Sequence, residues 1–196
     1  MSENARAGIT GLILAGGLGR RMGGVDKGLQ LMAGKALVTR VMERLAPQVD
    51  ILLINANRNL DAYAALGCPI VSDRIEGFAG PLVGIHAGLT VCTTPLLVTA
   101  PCDVPFLPSD LVARLYDALS HDGTDIALPR TGDGLQPAFT LMRRDVLSNL
   151  TDYLAAGHRR IQDWCRQLPL SVVDFSDGDS FANINTPADL ERLARP

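Results

Sequence analysis

Lysine is nearly missing from this chain. Of its 18 basic residues only Lys27 and Lys35 are lysine; the rest are arginine. Both lie in or just after a glycine-rich segment, LAGGLGRRMGGVDK, at residues 14–27. A lysine is a compact, flexible point charge and an arginine a planar fork. The departure from habit therefore points to a compact cation being required there, with chance as the plain alternative. Other absences narrow the function. The net charge is −3 and no run of basic residues occurs, so nothing suggests binding to nucleic acid or to a membrane surface. No apolar stretch is long enough to span a bilayer, and the opening MSENARAG is polar, with no apolar signal segment. Four scattered cysteines (Cys68, Cys92, Cys102, Cys165) form no CxxC pair. They read as reduced thiols of a cytoplasmic protein, which disfavours a zinc site or a disulfide framework. The three histidines are equally scattered, so no histidine metal cluster is visible.

What is present fits a soluble globular fold: 47% hydrophobic and 20% charged residues over 196 positions. That length predicts one domain, 1–196, with 1–7 as a flexible N-terminus. Short apolar runs predict strands over 9–15, 49–55, 69–72, 95–100, 125–128, 138–142 and 170–175. Helix-period segments fall at 35–48, 60–66, 81–91, 108–119, 145–156 and 161–168. A last helix is expected after Thr186-Pro187-Ala188-Asp189. Alternation of strand and helix predicts an α/β fold, a mostly parallel central sheet flanked by helices on both faces. Ligands of such sheets bind beyond the carboxyl ends of the strands. Here the glycine segment follows the first strand, Asn55 ends the second, Asp73 follows the third and Asp103 the fourth, so four polar features share one rim.

The glycine segment is not a Walker A loop, because Gly34-Lys35 is followed by Ala36 where a magnesium-binding hydroxyl is needed. Nor is it a dinucleotide fingerprint, because counting from Gly17 the third glycine position is Met22. It remains a long loop whose glycines let backbone N–H groups approach an anion, with Arg20, Arg21 and Lys27 to neutralise phosphate. Asp103 stands just past a buried strand in an apolar stretch, where a bound cation would offset the cost of a lone carboxylate. A turn or helix-cap aspartate is the bland alternative. Asn183 and Asn185, two apart, share a face if extended, though Asn185 also suits an Asx turn before Thr186-Pro187.

The pattern LxGGxxxRMGxxK after the first strand resembles the nucleotidyltransferases with a Rossmann-like fold. The spelling LAGG…RRMGGVDK is similar to the molybdenum cofactor guanylyltransferases. INANR (54–58), GPLVGI (80–85), PCDVP (101–105), VDF (173–175) and FANINTP (181–187) extend the likeness in order along the chain. Ala36 and Val83 depart from the usual Pro and Ala. The resemblance implies a three-layer Rossmann-like domain that moves GMP from GTP to the terminal phosphate of molybdopterin, with pyrophosphate leaving and Mg²⁺ assisting. It implies Arg21, Lys27 and Asp103 as catalytic residues, Asp103 also holding the metal. Leu14, Ala15, Gly16, Gly17, Lys27, Asn55, Asp73 and Asp103 would bind GTP. Acceptor candidates are Arg159, Arg160, Asn183, Asn185 and the Gln136-Pro137 turn. The two arginines could equally be a solvated helix face, and Asp73 could merely cap a turn. The family implies contact with molybdoenzymes or their chaperones, and the chain is expected to act as a monomer. Alternatives are cytidylyl transfer to the same cofactor, nucleotidyl transfer to a sugar phosphate, a GTP-binding regulatory protein without chemistry, and a dinucleotide-dependent oxidoreductase. The last two are disfavoured by the missing motifs.

Overall fold

The computed structural model describes residues 7–16, 26–75, 80–184 and 189. In chain order the strands are β1 (Ile9–Leu14), β2 (Leu31–Met32), β3 (Lys35–Ala36), β4 (Ile51–Asn55), β5 (Ile70–Val71), β6 (Leu96–Pro101), β7 (Ile126–Thr131), β8 (Gly134–Leu135), β9 (Leu141–Arg143) and β10 (Leu170–Asp174). The helices are α1 (Leu37–Leu45), α2 (Leu60–Ala64), α3 (Pro81–Val91), α4 (Leu111–Asp122), α5 (Leu147–Ala155) and α6 (Ile161–Cys165). The main sheet has the spatial order β10-β7-β9-β6-β1-β4-β5, with β8 added to β7. The pairs β1/β4, β1/β6, β4/β5 and β7/β10 are parallel. Among the described strands of this sheet only β8 and β9 run against their neighbours. Because β9 separates β6 from β7 by two reversals, β7 and β10 run in the same sense as β6.

The apolar runs sort into two buried clusters. One gathers Val38, Val41 and Leu45 of α1, Tyr63 of α2, and Leu111, Val112, Leu115 and Leu119 of α4 against the sheet. The other gathers Leu82, Ile85 and Leu89 of α3 with Leu150 and Leu154 of α5 and Trp164 of α6. The result is the expected three layers, helices on each face of an α/β sheet. Fully buried strands are read as unbroken apolar runs, and β1 (ITGLIL) and β6 (LLVTAP) have five buried residues each. Helix α3 lies very close to β1. A methyl at Gly88 would overlap Leu12, and one at Gly84 would overlap Asn55 and meet Leu14 at 3.1 Å. Two glycines a turn apart thus allow helix and strand to touch backbone to side chain.

Three expectations need correction. The helix expected over 35–48 begins only at Leu37, because Lys35–Ala36 pairs with Leu31–Met32 as an antiparallel hairpin. Its two-residue turn is Ala33-Gly34, both at positive φ (48° and 77°), the geometry that matches strand twist. Residues expected to start a strand at 138 form a 3₁₀ turn, Pro137–Phe139, and β9 follows it. The helix expected over 108–119 begins after Asp110 and continues to Asp122, where Gly123 at φ 66° ends it. The final helix was expected to be capped at Thr186, which lies outside the described residues, as do residues 1–6 of the expected flexible N-terminus.

Candidate functional site

Strand register builds the site. Val71, Asn55, Leu14 and Pro101 are aligned across β5, β4, β1 and β6. The residues that follow them therefore emerge together at the carboxyl edge of the sheet, where ligands of parallel sheets bind. Beyond β6, Asp103 is buried to 7% exposure. Its Oδ2 accepts from Lys27 Nζ at 3.2 Å, its Oδ1 from Asn183 Nδ2 at 3.0 Å. Its carbonyl accepts the Ile184 N–H at 2.8 Å. Three segments, each some 76 or more residues apart, thus meet on one carboxylate. A buried charge needs such partners.

A second network lies beside it on the other side of β1. Asp73 accepts from Asn55 Nδ2 at 2.8 Å and from Asn57 Nδ2 at 2.7 Å, and its own N–H donates to Asn57 Oδ1 at 2.8 Å. Asn55 Nδ2 also donates to the Val71 carbonyl at 3.0 Å. Asn55 is buried to 3% exposure. Gly16 and Gly84 close over it, and a methyl at Gly16 would come within 2.9 Å of Asn55 Oδ1 and 2.8 Å of Asn57 Nδ2. Between the two networks the Leu14 carbonyl accepts the Cys102 N–H and the Ala15 N–H donates to the Asn55 carbonyl. Those two backbone groups of the expected nucleotide cradle are therefore already engaged in holding β1 between β4 and β6.

The structure brings together Lys27, Asp103 and Asn183, and separately Asn55 and Asp73, with Leu14, Ala15 and Gly16 in between. Gly17, Arg21 and Asn185 lie outside the described residues. Arg159 sits at the end of α5, where its Nη1 donates to the carbonyls of His158 and, at 3.5 Å, Leu154. Arg160 is exposed and its carbonyl accepts the Tyr153 hydroxyl. Gln136 lines a polar cleft of about 470 Å³ with Asp133, Ser176, Asp177 and Phe181, beyond the ends of β7 and β10 on the same sheet edge. Sequence reasoning missed Asn57, although its spacing from Asn55 was the signal that linked Asn183 to Asn185. It also missed Asp26, Gly28 and Tyr63. Asp26 accepts from the Tyr63 hydroxyl at 2.6 Å. Burial, and then that hydrogen bond, pushes the Tyr63 phenol well above its ordinary range. Burial above all, with Asp103 next in line, likewise raises the Cys102 thiol far above its usual value, so it stays protonated and unreactive.

Among the described residues no group of three or more His, Cys, Asp or Glu side chains could hold a metal ion. Asp103 offers a single carboxylate. That donor fits a hard divalent cation whose remaining ligands are substrate phosphates and water, and does not fit a soft or structural metal. Among the described residues no helix is long and apolar enough to cross a membrane.

Comparison with known proteins gives the family and the fold. Residues 11–172 match the family model of the MobA-like NTP transferase domain. The molybdenum cofactor guanylyltransferase of Cupriavidus necator is 53% identical over 187 residues, covering 93% of this chain and 94% of that protein. The crystal structure of molybdopterin-guanine dinucleotide biosynthesis protein A from Archaeoglobus fulgidus superimposes with a TM-score of 0.78 at 25% identity, covering 94% of this chain and 96% of that one. A Mycobacterium tuberculosis protein solved in complex with manganese has a TM-score of 0.69 at 20% identity, covering 95% and 98%, and shares the fold.

Proposed function

Because this chain belongs to the MobA-like NTP transferase family, we infer that it transfers GMP from GTP to the terminal phosphate of molybdopterin, releasing pyrophosphate. The observation that carries the reading is the convergence of Lys27 and Asn183 on buried Asp103 at the carboxyl edge of the sheet. In this reaction an acceptor phosphate oxygen bonds to the α-phosphorus as the bond to the pyrophosphate oxygen breaks. The protein's part is positioning and charge stabilisation. Lys27, with Arg21 of the glycine segment, holds triphosphate oxygens and meets the negative charge that develops on them. Asn183 fixes Oδ1 of Asp103, leaving Oδ2 to Lys27 and to a bound cation. A divalent cation, Mg²⁺ in our reading, would be held by Asp103 and supplies further positive charge to the phosphate oxygens when bound.

Asn55, clamped by Asp73, forms a rigid floor under Gly16 and, with Leu14 to Gly17, seats the nucleoside. The cleft by Gln136 is rich in carboxylates. It repels phosphate but accepts the N–H donors of a pterin, and the chain leads from it straight to Asn183; Asn185, Arg159 and Arg160 remain further acceptor candidates. We read residues 1–196 as one nucleotidyltransferase domain, acting as a monomer in the cytoplasm with transient contacts to molybdoenzymes or their chaperones. The four free thiols support a reducing compartment. The test is pyrophosphate release from GTP with and without molybdenum-loaded molybdopterin, with CTP and UTP as competitors. Release only when GTP and acceptor are both present supports the reading. Binding of GTP with no release under any acceptor, or faster turnover of CTP, overturns it.

A further inference from the structure

The chain leaves the glycine segment through Asp26, whose carboxylate is held from three directions. Its Oδ1 accepts the Gly28 N–H at 3.2 Å, capping the 3₁₀ turn Lys27–Leu29, and the Tyr63 hydroxyl at 2.6 Å. Its Oδ2 accepts Asn59 Nδ2 at 2.9 Å. Tyr63 has no exposed surface, and its ring belongs to the cluster of Val38, Val41, Ile54 and Cys102. Its hydroxyl is therefore a fixed point. Asn59 adopts left-handed backbone angles (φ 50°, ψ 37°) at the start of α2, a conformation asparagine tolerates. Gly28 is seated so closely that a methyl there would lie 2.5 Å from the Tyr63 oxygen and 3.3 Å from Cys102 Sγ. Between Asp26 and Gly28 stands Lys27, reaching Asp103, the residue after Cys102.

Two consequences follow from this packing. The lysine's backbone is pinned to the core through its neighbours on either side. The carboxylate adjacent to it is itself held by three donors, two of them, Asn59 and Tyr63, from α2 and its N-cap. We propose that Asp26, anchored by Tyr63, is a positioning residue that fixes the reach of Lys27 to the phosphates. This rests on the reading of Lys27 as a phosphate-binding residue.

Tyr63→Phe removes the hydroxyl and keeps the ring in the core. It is expected to lower kcat for pyrophosphate release about tenfold, with KM for GTP changed by less than about threefold, since small displacements of a reacting group cost rate steeply. Asp26→Ala, which removes the acceptor of the Tyr63 hydroxyl and the Gly28 N–H and keeps the Tyr63 ring in the core, gives a loss of the same order. In a Lys27→Ala background, adding Tyr63→Phe causes no further loss of rate, while its effect on the unfolding midpoint is the same in both backgrounds. An unchanged kcat in both Tyr63→Phe and Asp26→Ala beside a crippled Lys27→Ala overturns the positioning role alone. So does an equal fold-loss from Tyr63→Phe with and without Lys27. A fully active Lys27→Ala enzyme overturns the phosphate role of Lys27 itself, and this inference with it.

Discussion

Replacing Asp103 by asparagine separates charge from shape at the centre of the site. The amide is isosteric, and its oxygen can still accept from Asn183, which now bonds Oδ1 at 3.0 Å. What is lost is the negative charge opposite Lys27. Side-chain exposures are 10% for Asp103 and 26% for Lys27, so the pair lies between two regimes. Breaking a fully buried pair costs about 3–5 kcal/mol, and an exposed pair contributes about 0–1 kcal/mol. Because the ammonium can regain water, a loss of about 1–2 kcal/mol is the appropriate scale. For a chain of this size that lowers Tm by about 2–8 °C. On the proposed role of Asp103, catalysis should suffer far more, because the charge that would hold a cation and Lys27 at the phosphates is gone. A preorganised electrostatic group is worth about 100-fold to 1,000-fold in rate. Asp103→Ala should be at least as inactive, and less stable, because it also removes the acceptor for Asn183. The assay is coupled pyrophosphate release with loaded acceptor, run beside differential scanning fluorimetry. An Asp103→Asn rate within about threefold of the unmutated protein, when about 100-fold is expected, would refute the electrostatic role. A Tm fall far beyond the range given above would show that Asp103 is chiefly structural.

Gly84→Ala is expected to force either α3 away from β1 or Asn55 off Asp73, since the added methyl overlaps the Asn55 amide. A cost of about 1–3 kcal/mol should appear as a lower Tm, together with weaker GTP binding in calorimetry. His86 on α3 has a buried Nδ1 without a partner among the described residues. Burial first, and Arg74 second, lowers its pKa from 6.5. Its folded state therefore disfavours the proton. Its contribution to stability is intact above the unfolded value of 6.5 and is lost as pH falls through the lower folded one. Unfolding midpoints should accordingly fall as the pH is lowered from 6.5, and His86→Gln should flatten that slope. Lys27→Arg should lower the rate of pyrophosphate release more than it weakens GTP binding, as single-turnover and equilibrium measurements would show.

Much of the fold is written in local patterns. β1, β4 and β6 are mostly apolar runs, and the rule that ligands gather at strand ends places Asp73, Asn55 and Asp103 on one rim from the sequence alone. The hairpin at 31–36 was illegible because two-residue strands have no measurable period, and because Ala33 takes a positive φ usually left to glycine or asparagine. The apolar face Leu37, Val41, Leu45 then drew the helix back over Lys35. The antiparallel strand β9 has three residues, too few to declare its direction. In the site, a rare lysine in a glycine-rich segment announced Lys27, and a carboxylate in an apolar stretch announced Asp103. Tyr63 announced nothing, because a tyrosine in a short helix reads as core until its hydroxyl is seen to meet Asp26, 37 positions away.

The choice of lysine at position 27 acquires a physical reason when two ion pairs of this protein are set side by side. On the neighbouring strands β7 and β10, Arg130 grips Asp174 with two parallel hydrogen bonds, Nε–Oδ1 at 2.5 Å and Nη2–Oδ2 at 2.7 Å. That grip holds the Asp174 carboxyl below its usual range. Lys27 reaches Asp103 through one contact of 3.2 Å. A planar fork at position 27 would engage both carboxylate oxygens and compete with Asn183 for Oδ1. An incoming phosphate, or a cation on Asp103, would then have to break two aligned bonds instead of one. The point charge of lysine attracts a triphosphate nearly as well as arginine does, yet surrenders its aspartate easily. If Lys27 meets the triphosphate as proposed, its pair with Asp103 must open at each turnover, and a single contact suits that better than a bidentate grip. On this ground the Lys27→Arg enzyme should still bind GTP and be slow to use it.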